Sequence, residues 1–118
     1  MKALSIRQPW GWAIFNAGKN IENRSRYYKY RGKLLIHSSK KIDPYGYEYL
    51  RSIGIIPPDN IPMGGIIGVV SIIGCVDKHS SKWFFGPHGL ILKDPIQFTF
   101  IPMLGKLGFF EVDERIFI

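Results

Sequence analysis

The pattern of apolar and polar positions predicts a short strand over Lys2–Arg7, where Leu4 and Ile6 alternate with other residues. A helix is expected to follow, because Pro9 suits the first helical position and Gly18 suits the end. Apolar residues recur on this helix at helical spacing. We expect that stripe to face the core, and it contains Trp10, Ala13, Ile14 and Ala17.

Extended structure is expected over residues 20–25, and a second strand over Lys33–Ser38. On this second strand Leu34 and Ile36 lie on one face, and Leu35 and His37 lie on the other. Asp43 before a proline predicts the start of a second helix, which runs to about Ile53 and ends at Gly54. The three prolines within residues 55–62 predict a loop.

The remainder of the chain is rich in strand signals. A long buried strand is predicted over Ile66–Val76, shorter ones over Gly89–Lys93 and Ile96–Phe100, and a last one over Phe109–Asp113. Two helices among about six strands predict an α+β fold, a small β-barrel too rich in strands for a doubly wound sheet. With 118 residues, the chain is expected to form a single domain over 1–118.

Charge is distributed unevenly along the chain. The net charge is +7. The part up to Arg51 contains eleven basic and three acidic residues, whereas the remainder contains five basic and six acidic residues. This asymmetry predicts a basic face, and a small protein with such a face favours a polyanionic partner. The candidates are nucleic acid, a nucleotide or an anionic membrane surface.

The cellular compartment can also be predicted from the sequence. Cys75 is the single cysteine, so an internal disulfide is excluded and a reducing compartment is expected. Arg7 interrupts the N-terminal apolar run, which argues against a secretory signal. The uncharged stretch 63–76 is shorter than the roughly 20 residues of a bilayer-spanning helix. We therefore expect a cytoplasmic protein that is not in a membrane.

The start of the first helix is the first candidate site. Free amide groups there attract phosphate, Gln8 lies at the same end, and Trp10 can stack a base. The alternative is that Trp10 and Trp12 belong to the core and that Gln8 only begins the helix. For Trp10 the core is the favoured interpretation, because large aromatic side chains usually serve packing.

Lys19, Glu22 and Arg24 form the second candidate. In an extended segment Glu22 and Arg24 point to the same side, and Lys19 can turn toward the same space. A carboxylate between two cations stays ionised and holds both in place. The alternative is a surface ion-pair cluster of little energetic value.

Two further segments are candidates for ligand binding. Cations alternate with tyrosines from Arg24 to Lys33, which favours a surface that binds a nucleic-acid backbone, with Arg26, Tyr28 and Arg31 as contacts. The alternative is a solvated loop whose tyrosines cover the barrel. Residues 83–89 combine aromatic side chains with Gly and Pro, so Trp83 can wall a pocket and His88 can donate to a ligand. The alternative is a plug at the end of the barrel.

Several chemistries are not indicated. One cysteine and three dispersed histidines lack the spacing of a zinc site. The sequence also lacks a phosphate-binding loop, a dinucleotide fingerprint and a nucleophile elbow. We therefore predict no metal and no cofactor.

Taken together, several segments resemble the ASCH domain family of the PUA-like superfamily of small β-barrels. They cover nearly the whole chain and are residues 3–10, 18–24, 31–32, 35–37, 67–70, 83–87 and 105–110. The resemblance implies a PUA-like barrel with a central cleft lined by the first helix and the strand of Lys19, Glu22 and Arg24. It also implies a nucleic-acid or modified-nucleotide ligand. Gln8 and Trp10 match the cleft motif with these three residues, and Trp83 with Gly86-Pro87 matches the edge of the cleft.

The sequence therefore predicts a module with a basic cleft that binds RNA, another nucleic acid or a nucleotide. A hydrolase is the alternative, with Lys19, Glu22 and Arg24 as catalytic residues. Some small members of the family hydrolyse acetylated cytidine with a lysine and a threonine three residues later, and here Glu22 occupies the threonine position. Other relatives have been reported to cut RNA. An acidic protein partner is a third possibility, and the oligomeric state stays open.

Overall fold

The computed structural model describes residues 1–117 and contains six strands and two α-helices. The strands are β1 (Lys2–Gln8), β2 (Ile21–Arg24), β3 (Gly32–Ile42), β4 (Gly65–Val76), β5 (His88–Pro102) and β6 (Phe109–Glu111). The helices are α1 (Trp10–Asn16) and α2 (Pro44–Ser52), and a 3₁₀ helix follows at Glu114–Phe117. The predicted α+β class, with two helices and six strands, is confirmed.

All six strands belong to one mixed sheet in the order β2-β5-β4-β3-β1-β6. Only the β1–β3 pair is parallel among the strand pairings of residues 1–117, and the others are antiparallel. In that part of the chain β2 and β6 are the two edge strands, and they do not pair with each other. Closure into a PUA-like barrel is therefore not confirmed and stays a prediction.

Both faces of β3 are buried over Leu34–Ser38. Leu34 and Ile36 pack with the side of the sheet that α1 covers, and Leu35 packs with a second cluster on the other side. A third cluster joins Ala13 of α1, Ile21 of β2, Leu50 of α2 and the loop residue Trp83. Because these four side chains pack together, the third cluster sets the relative positions of α1, α2 and β2.

The start of α2 packs against the start of α1. Asp43 is the predicted N-cap of α2, and its Oδ1 accepts a hydrogen bond of 3.0 Å from the backbone N–H of Tyr45. Gly46 makes the close approach possible, since a Cβ atom at this position would lie 2.7 Å from Cδ of Pro9. The side chain of Trp10 lies in the same contact, 3.0 Å from that Cβ position.

One predicted break in the sheet is wrong. Gly89–Lys93 and Ile96–Phe100 are not separate strands but parts of the continuous β5. Ser71 pairs with Lys93 and Val69 with Ile96, so two residues of β5 lie opposite one residue of β4. The predicted break between Lys93 and Ile96 is therefore a β-bulge within one strand, and Asp94 there adopts a φ of 53°.

Within residues 1–117, every helix is too short or too polar to cross a bilayer. The cytoplasmic location stays a prediction.

Candidate functional site

A cavity of about 760 Å³ opens between α1, α2 and β2, and we call it the main cavity. Four of the residues predicted for ligand binding line it: Trp10, Lys19, Glu22 and Arg24. Its remaining walls come from β1, α2 and the loop before β5. A volume of this size is ordinary for sites that enclose a small ligand.

Lys19, Glu22 and Arg24 converge at this cavity as strand alternation predicts. Lys19 Nζ donates to Glu22 Oε1 at 2.9 Å and to the backbone carbonyl of Ile21. Arg24 Nη1 lies 3.9 Å from Glu22 Oε2. Only 3 % of Lys19 and 9 % of Glu22 are exposed, so the alternative of a surface ion-pair cluster is wrong for this pair.

The second carboxylate oxygen of Glu22 is the acceptor atom of this cluster that is available to a ligand among the residues that the structure describes. At 3.9 Å from Arg24 the Oε2 atom is beyond hydrogen-bond distance, and no donor within residues 1–117 bonds to it. The other oxygen is held by Lys19, so the orientation of the carboxylate is restrained. Glu22 can therefore accept a hydrogen bond from a ligand in the cavity.

Three aromatic rings make the apolar wall of the main cavity. The centroid of Trp10 lies 6.0 Å from that of Tyr49 and 5.9 Å from that of Phe85, and Tyr49 and Phe85 are 5.0 Å apart. Trp10 Nε1 donates to Asp43 Oδ2 at 2.8 Å, which restrains the indole ring. Trp10 is half-buried and contacts the core as well, so both interpretations of this residue hold in part.

Gln8 is not brought to the main cavity. It is 1 % exposed, and its side-chain amide is fully engaged by the protein itself. Nε2 donates to the carbonyl of Pro62 at 3.1 Å, and Oε1 accepts from the backbone N–H of Trp12 at 2.8 Å. The prediction that Gln8 contacts a ligand is corrected, because its amide caps the first turn of α1 and joins it to the loop before β4.

Replacing Gln8 with leucine is expected to lower the free energy of unfolding by about 1–3 kcal/mol, because the backbone N–H of Trp12 loses its partner. Chemical denaturation followed by circular dichroism measures the change. The control is Gln97→Leu, at an exposed position of β5, which should leave stability nearly unchanged. Equal stabilities of the two variants would contradict this role for Gln8.

The loop before β5 places Trp83 in the core and Phe85 at the main cavity. Trp83 is 2 % exposed and belongs to the third core cluster, whereas Phe85 lines the cavity and is 53 % exposed. Asn23 makes this arrangement: its Nδ2 donates to the carbonyl of Trp83, and its Oδ1 accepts from the N–H groups of Phe85 and Gly86. Asn23 thus positions Phe85, and the predicted pocket wall at Trp83 is corrected.

His88 does not line the main cavity either. It pairs with Arg24 in the β2–β5 ladder, and its ring lies 6.4 Å from that of Tyr27. Its Nδ1 atom is buried and has no hydrogen-bond partner within residues 1–117. The predicted donation from His88 to a ligand in this cavity therefore lacks the required placement.

The run of alternating cations and tyrosines lies outside the cavity except for Arg24. The guanidinium of Arg26 lies 5.0 Å from the ring centroid of Tyr28, and its hydrogen bond lowers the pKa of the Tyr28 hydroxyl below the usual 10. Tyr28 stacks on Phe109 at 4.8 Å. Arg31 donates to the hydroxyl of Tyr27 and to the carbonyl of Tyr28, each at 2.8 Å. Arg26, Tyr28 and Arg31 thus bind one another or their neighbours.

Sequence reasoning missed one wall of the cavity completely. Helix α2 contributes Tyr45, Glu48, Tyr49 and Ser52. Their spacing of three and four residues places them on one face of a helix, and that signal was present in the sequence. Nothing in the sequence indicated that this face of α2 packs beside α1.

Charges on the wall of the main cavity are balanced. Three cations, Arg7, Lys19 and Arg24, face three carboxylates. The carboxylates belong to Glu22, Asp43 and Glu48. The basic character predicted for the cleft is therefore not confirmed for this cavity. Among the residues that the structure describes, no group of three or more His, Cys, Asp or Glu side chains is placed to hold a metal ion.

Comparison with known proteins gives one family and two relatives. Residues 4–105 match the ASCH domain. The human protein named activating signal cointegrator 1 is 28 % identical over 130 aligned positions, which cover 96 % of this chain and 22 % of that protein. The mouse protein of the same name is 31 % identical over 83 positions, which cover 64 % of this chain and 14 % of that protein. This chain therefore spans less than a quarter of the length of either relative.

Proposed function

The chain belongs to the ASCH domain family, and on this basis we propose that it binds nucleic acid, RNA in particular, and takes an unpaired base or a modified nucleotide into the main cavity. Members of the family have been proposed as RNA-binding modules, which supports the choice of RNA. The net charge of +7 supports a polyanionic partner.

The observation that carries the proposal is the aromatic wall opposite a restrained carboxylate. Trp10, Tyr49 and Phe85 present rings to one space, and every base has a flat face that stacks on such rings. Stacking is worth about 1–3 kcal/mol per base. A wall of this kind favours a base over a linear anion, because a linear anion has no flat face to stack on the rings.

The polar side of the cavity adds orientation. The open oxygen of Glu22 can accept a hydrogen bond from the exocyclic amino group of a base, as carboxylates do from cytosine. Arg24 is 24 % exposed in its side chain and lies at the border of the cavity, where it can contact a phosphate. Lys19 donates its hydrogen bonds to Glu22 and to the carbonyl of Ile21, so its role is to hold the carboxylate in place.

A binding panel tests the proposal. Labelled single-stranded RNA, single-stranded DNA, duplex DNA and modified nucleosides are titrated at several salt concentrations. We expect binding to single strands that weakens as salt rises, because contacts to phosphates release counterions. Undetectable binding to RNA and DNA alike, or binding that does not respond to salt, would remove the proposal.

Replacing Arg24 with glutamine is expected to weaken binding to single-stranded RNA about 5-fold at about 0.1 M salt, the loss of one phosphate contact. Fluorescence anisotropy measures the affinity. Arg115→Gln is the matched control, since this arginine is 84 % exposed in its side chain and lies in the 3₁₀ helix, outside the cavity. The same loss in both variants would show a general charge effect rather than a contact at the cavity.

Hydrolysis is the second candidate function, and the Lys19–Glu22–Arg24 cluster is the observation that favours it. Glu22 would act as a general base on water, while Arg24 would stabilise developing negative charge. Acetylated cytidine and short RNA are the substrates to test. Turnover by the wild-type protein that is lost in a folded Glu22→Gln variant supports an enzyme, and equal residual turnover indicates contamination.

A further inference from the structure

A second depression, of about 420 Å³, adjoins the main cavity, and we call it the lysine groove. The two share Ser5, Arg7 and Arg24 as a common wall. Beyond that wall the groove adds Lys40, Lys41 and Lys106. Five cations thus line the groove, and its lining includes no carboxylate among the residues that the structure describes. The basic surface predicted from the sequence lies here, beside the cavity and not inside it.

A β-bulge brings these cations together. Ile6 pairs with Ser38 and Gln8 with Ile42, so Arg7 alone on β1 lies opposite the three residues 39–41 of β3. Side chains of successive strand residues normally point to opposite faces, whereas Lys40 and Lys41 both line the groove. Bulges re-aim side chains in this way and are enriched beside functional sites.

Local contacts hold the bulge in place. The backbone N–H of Lys41 donates to Ser39 Oγ at 3.0 Å, which replaces the ladder bond that the bulge interrupts. The aliphatic part of Lys40 lies across Gly64, where a Cβ atom would come within 2.9 Å of Lys40 Cε. The aliphatic chain of Lys40 therefore passes over Gly64, while the side chain stays exposed.

The opposite side of the groove is positioned by His37. Its Nδ1 lies 2.9 Å from Ser5 Oγ, and its Nε2 lies 2.8 Å from the carbonyl of Met103. The loop packs directly on the imidazole, since a Cβ at Gly105 would lie 2.6 Å from His37 Cε1. This contact sets the position of Lys106, the next residue in the loop.

We infer that the lysine groove holds the phosphodiester backbone of a single-stranded nucleic acid, one base of which occupies the main cavity; this inference rests on the proposed function. Five like charges in one groove repel one another and favour an anion with regularly spaced charges. Arg7 and Arg24 belong to both spaces, so they lie where the backbone leaves the inserted nucleotide. The ligand is therefore a strand of several nucleotides rather than a free nucleoside.

Length dependence tests the inference. The probes are the four ribonucleoside monophosphates and mixed-sequence single strands of RNA and DNA of increasing length. A groove variant carries Lys40→Gln, Lys41→Gln and Lys106→Gln, which keep most of each side chain but remove its charge. A control variant carries Lys78→Gln, Lys82→Gln and Lys93→Gln, which remove the same charge at exposed positions outside both depressions.

In the wild-type protein affinity should rise with strand length. The groove variant should bind monophosphates as the wild type does but bind the longest strands about 100-fold more weakly at about 0.1 M salt, with a salt slope smaller by about 2, since three single-strand phosphate contacts are lost. The control variant should retain the length dependence. RNA and DNA should respond alike, because both contain the phosphodiester.

Four results would overturn the inference. Equal losses in the groove and control variants would show a general charge effect. Unchanged strand binding by the groove variant would separate the groove from the ligand and leave the proposed function standing. Phosphatidylserine vesicles are titrated beside the strands, and a loss of vesicle binding in the groove variant with strand binding unchanged would make the groove a lipid-binding surface. If the wild-type protein binds neither monophosphates nor strands, the proposed function fails together with the inference.

Discussion

Replacing Glu22 with alanine is expected to lower the free energy of unfolding by about 3–5 kcal/mol, because it leaves a buried charge without its counter-ion. Lys19 is 3 % exposed, so its ammonium group is largely shielded from water and has no carboxylate to balance its charge once Glu22 is gone. The remaining hydrogen bond, to the carbonyl of Ile21, does not neutralise the charge. Urea denaturation followed by circular dichroism measures the loss.

Two further variants separate charge burial from packing. Lys19→Met should cost less, because Glu22 keeps Arg24 at 3.9 Å and has a more exposed side chain than Lys19. The double variant Lys19→Met with Glu22→Leu removes both charges and should recover most of the stability lost in Glu22→Ala. A double variant as unstable as Glu22→Ala would show that packing, and not the uncompensated charge, is responsible.

An exposed ion pair supplies the matched control. Lys2 Nζ lies 3.3 Å from Glu111 Oε1, a distance similar to that in the buried pair, but the side chain of Glu111 is 69 % exposed. Glu111→Ala should change stability little, since solvent screens such pairs. Similar losses of stability in Glu22→Ala and Glu111→Ala would contradict the claim that burial makes the Lys19–Glu22 pair costly to break.

The expected instability also affects the test of hydrolysis. A variant of Glu22 that unfolds loses turnover for a reason unrelated to catalysis. Glu22→Gln keeps the shape of the side chain and one acceptor for Lys19, so it is the better variant for the turnover assay. Its circular dichroism spectrum and unfolding midpoint must be measured beside its activity.

Replacing Phe85 with alanine is expected to weaken binding of single-stranded RNA by about 1–3 kcal/mol, or about 5- to 150-fold, because one stacking surface is lost. Phe85 is 53 % exposed, so its removal should leave the core intact. Fluorescence anisotropy of a labelled strand measures the affinity. Phe85→Trp should retain binding, since it keeps an aromatic ring.

Phe117 serves as the control for this substitution. It is 40 % exposed and packs beside Phe98 at 5.5 Å in the 3₁₀ helix, outside the main cavity. Phe117→Ala should bind RNA like the wild-type protein. Unchanged affinity of Phe85→Ala would mean that no base enters between the rings, whereas equal losses in both variants would indicate a general effect on the fold.

Sequence patterns that span only a few residues were sufficient to predict most of the helices and strands. Strand alternation placed Glu22 and Arg24 on one side of β2, and Asp43 before Pro44 marked the start of α2. These features depend on backbone geometry and on hydrogen bonds between near neighbours in the chain. The dependence on local patterns also explains the wrong break between Lys93 and Ile96, because pairing with the distant β4 continues β5 through this segment.

The surroundings of each site residue depended instead on contacts between segments far apart in the chain. Asn23 hydrogen-bonds to the backbone of Phe85, 62 positions away, and this contact makes Phe85 rather than Trp83 the cavity wall. The bulge that aligns Lys40 and Lys41 exists only in the pairing of β3 with β1. A sequence read locally therefore identifies which groups are charged or aromatic, but packing decides which of them share a space, because burial and strand register are properties of the assembled sheet.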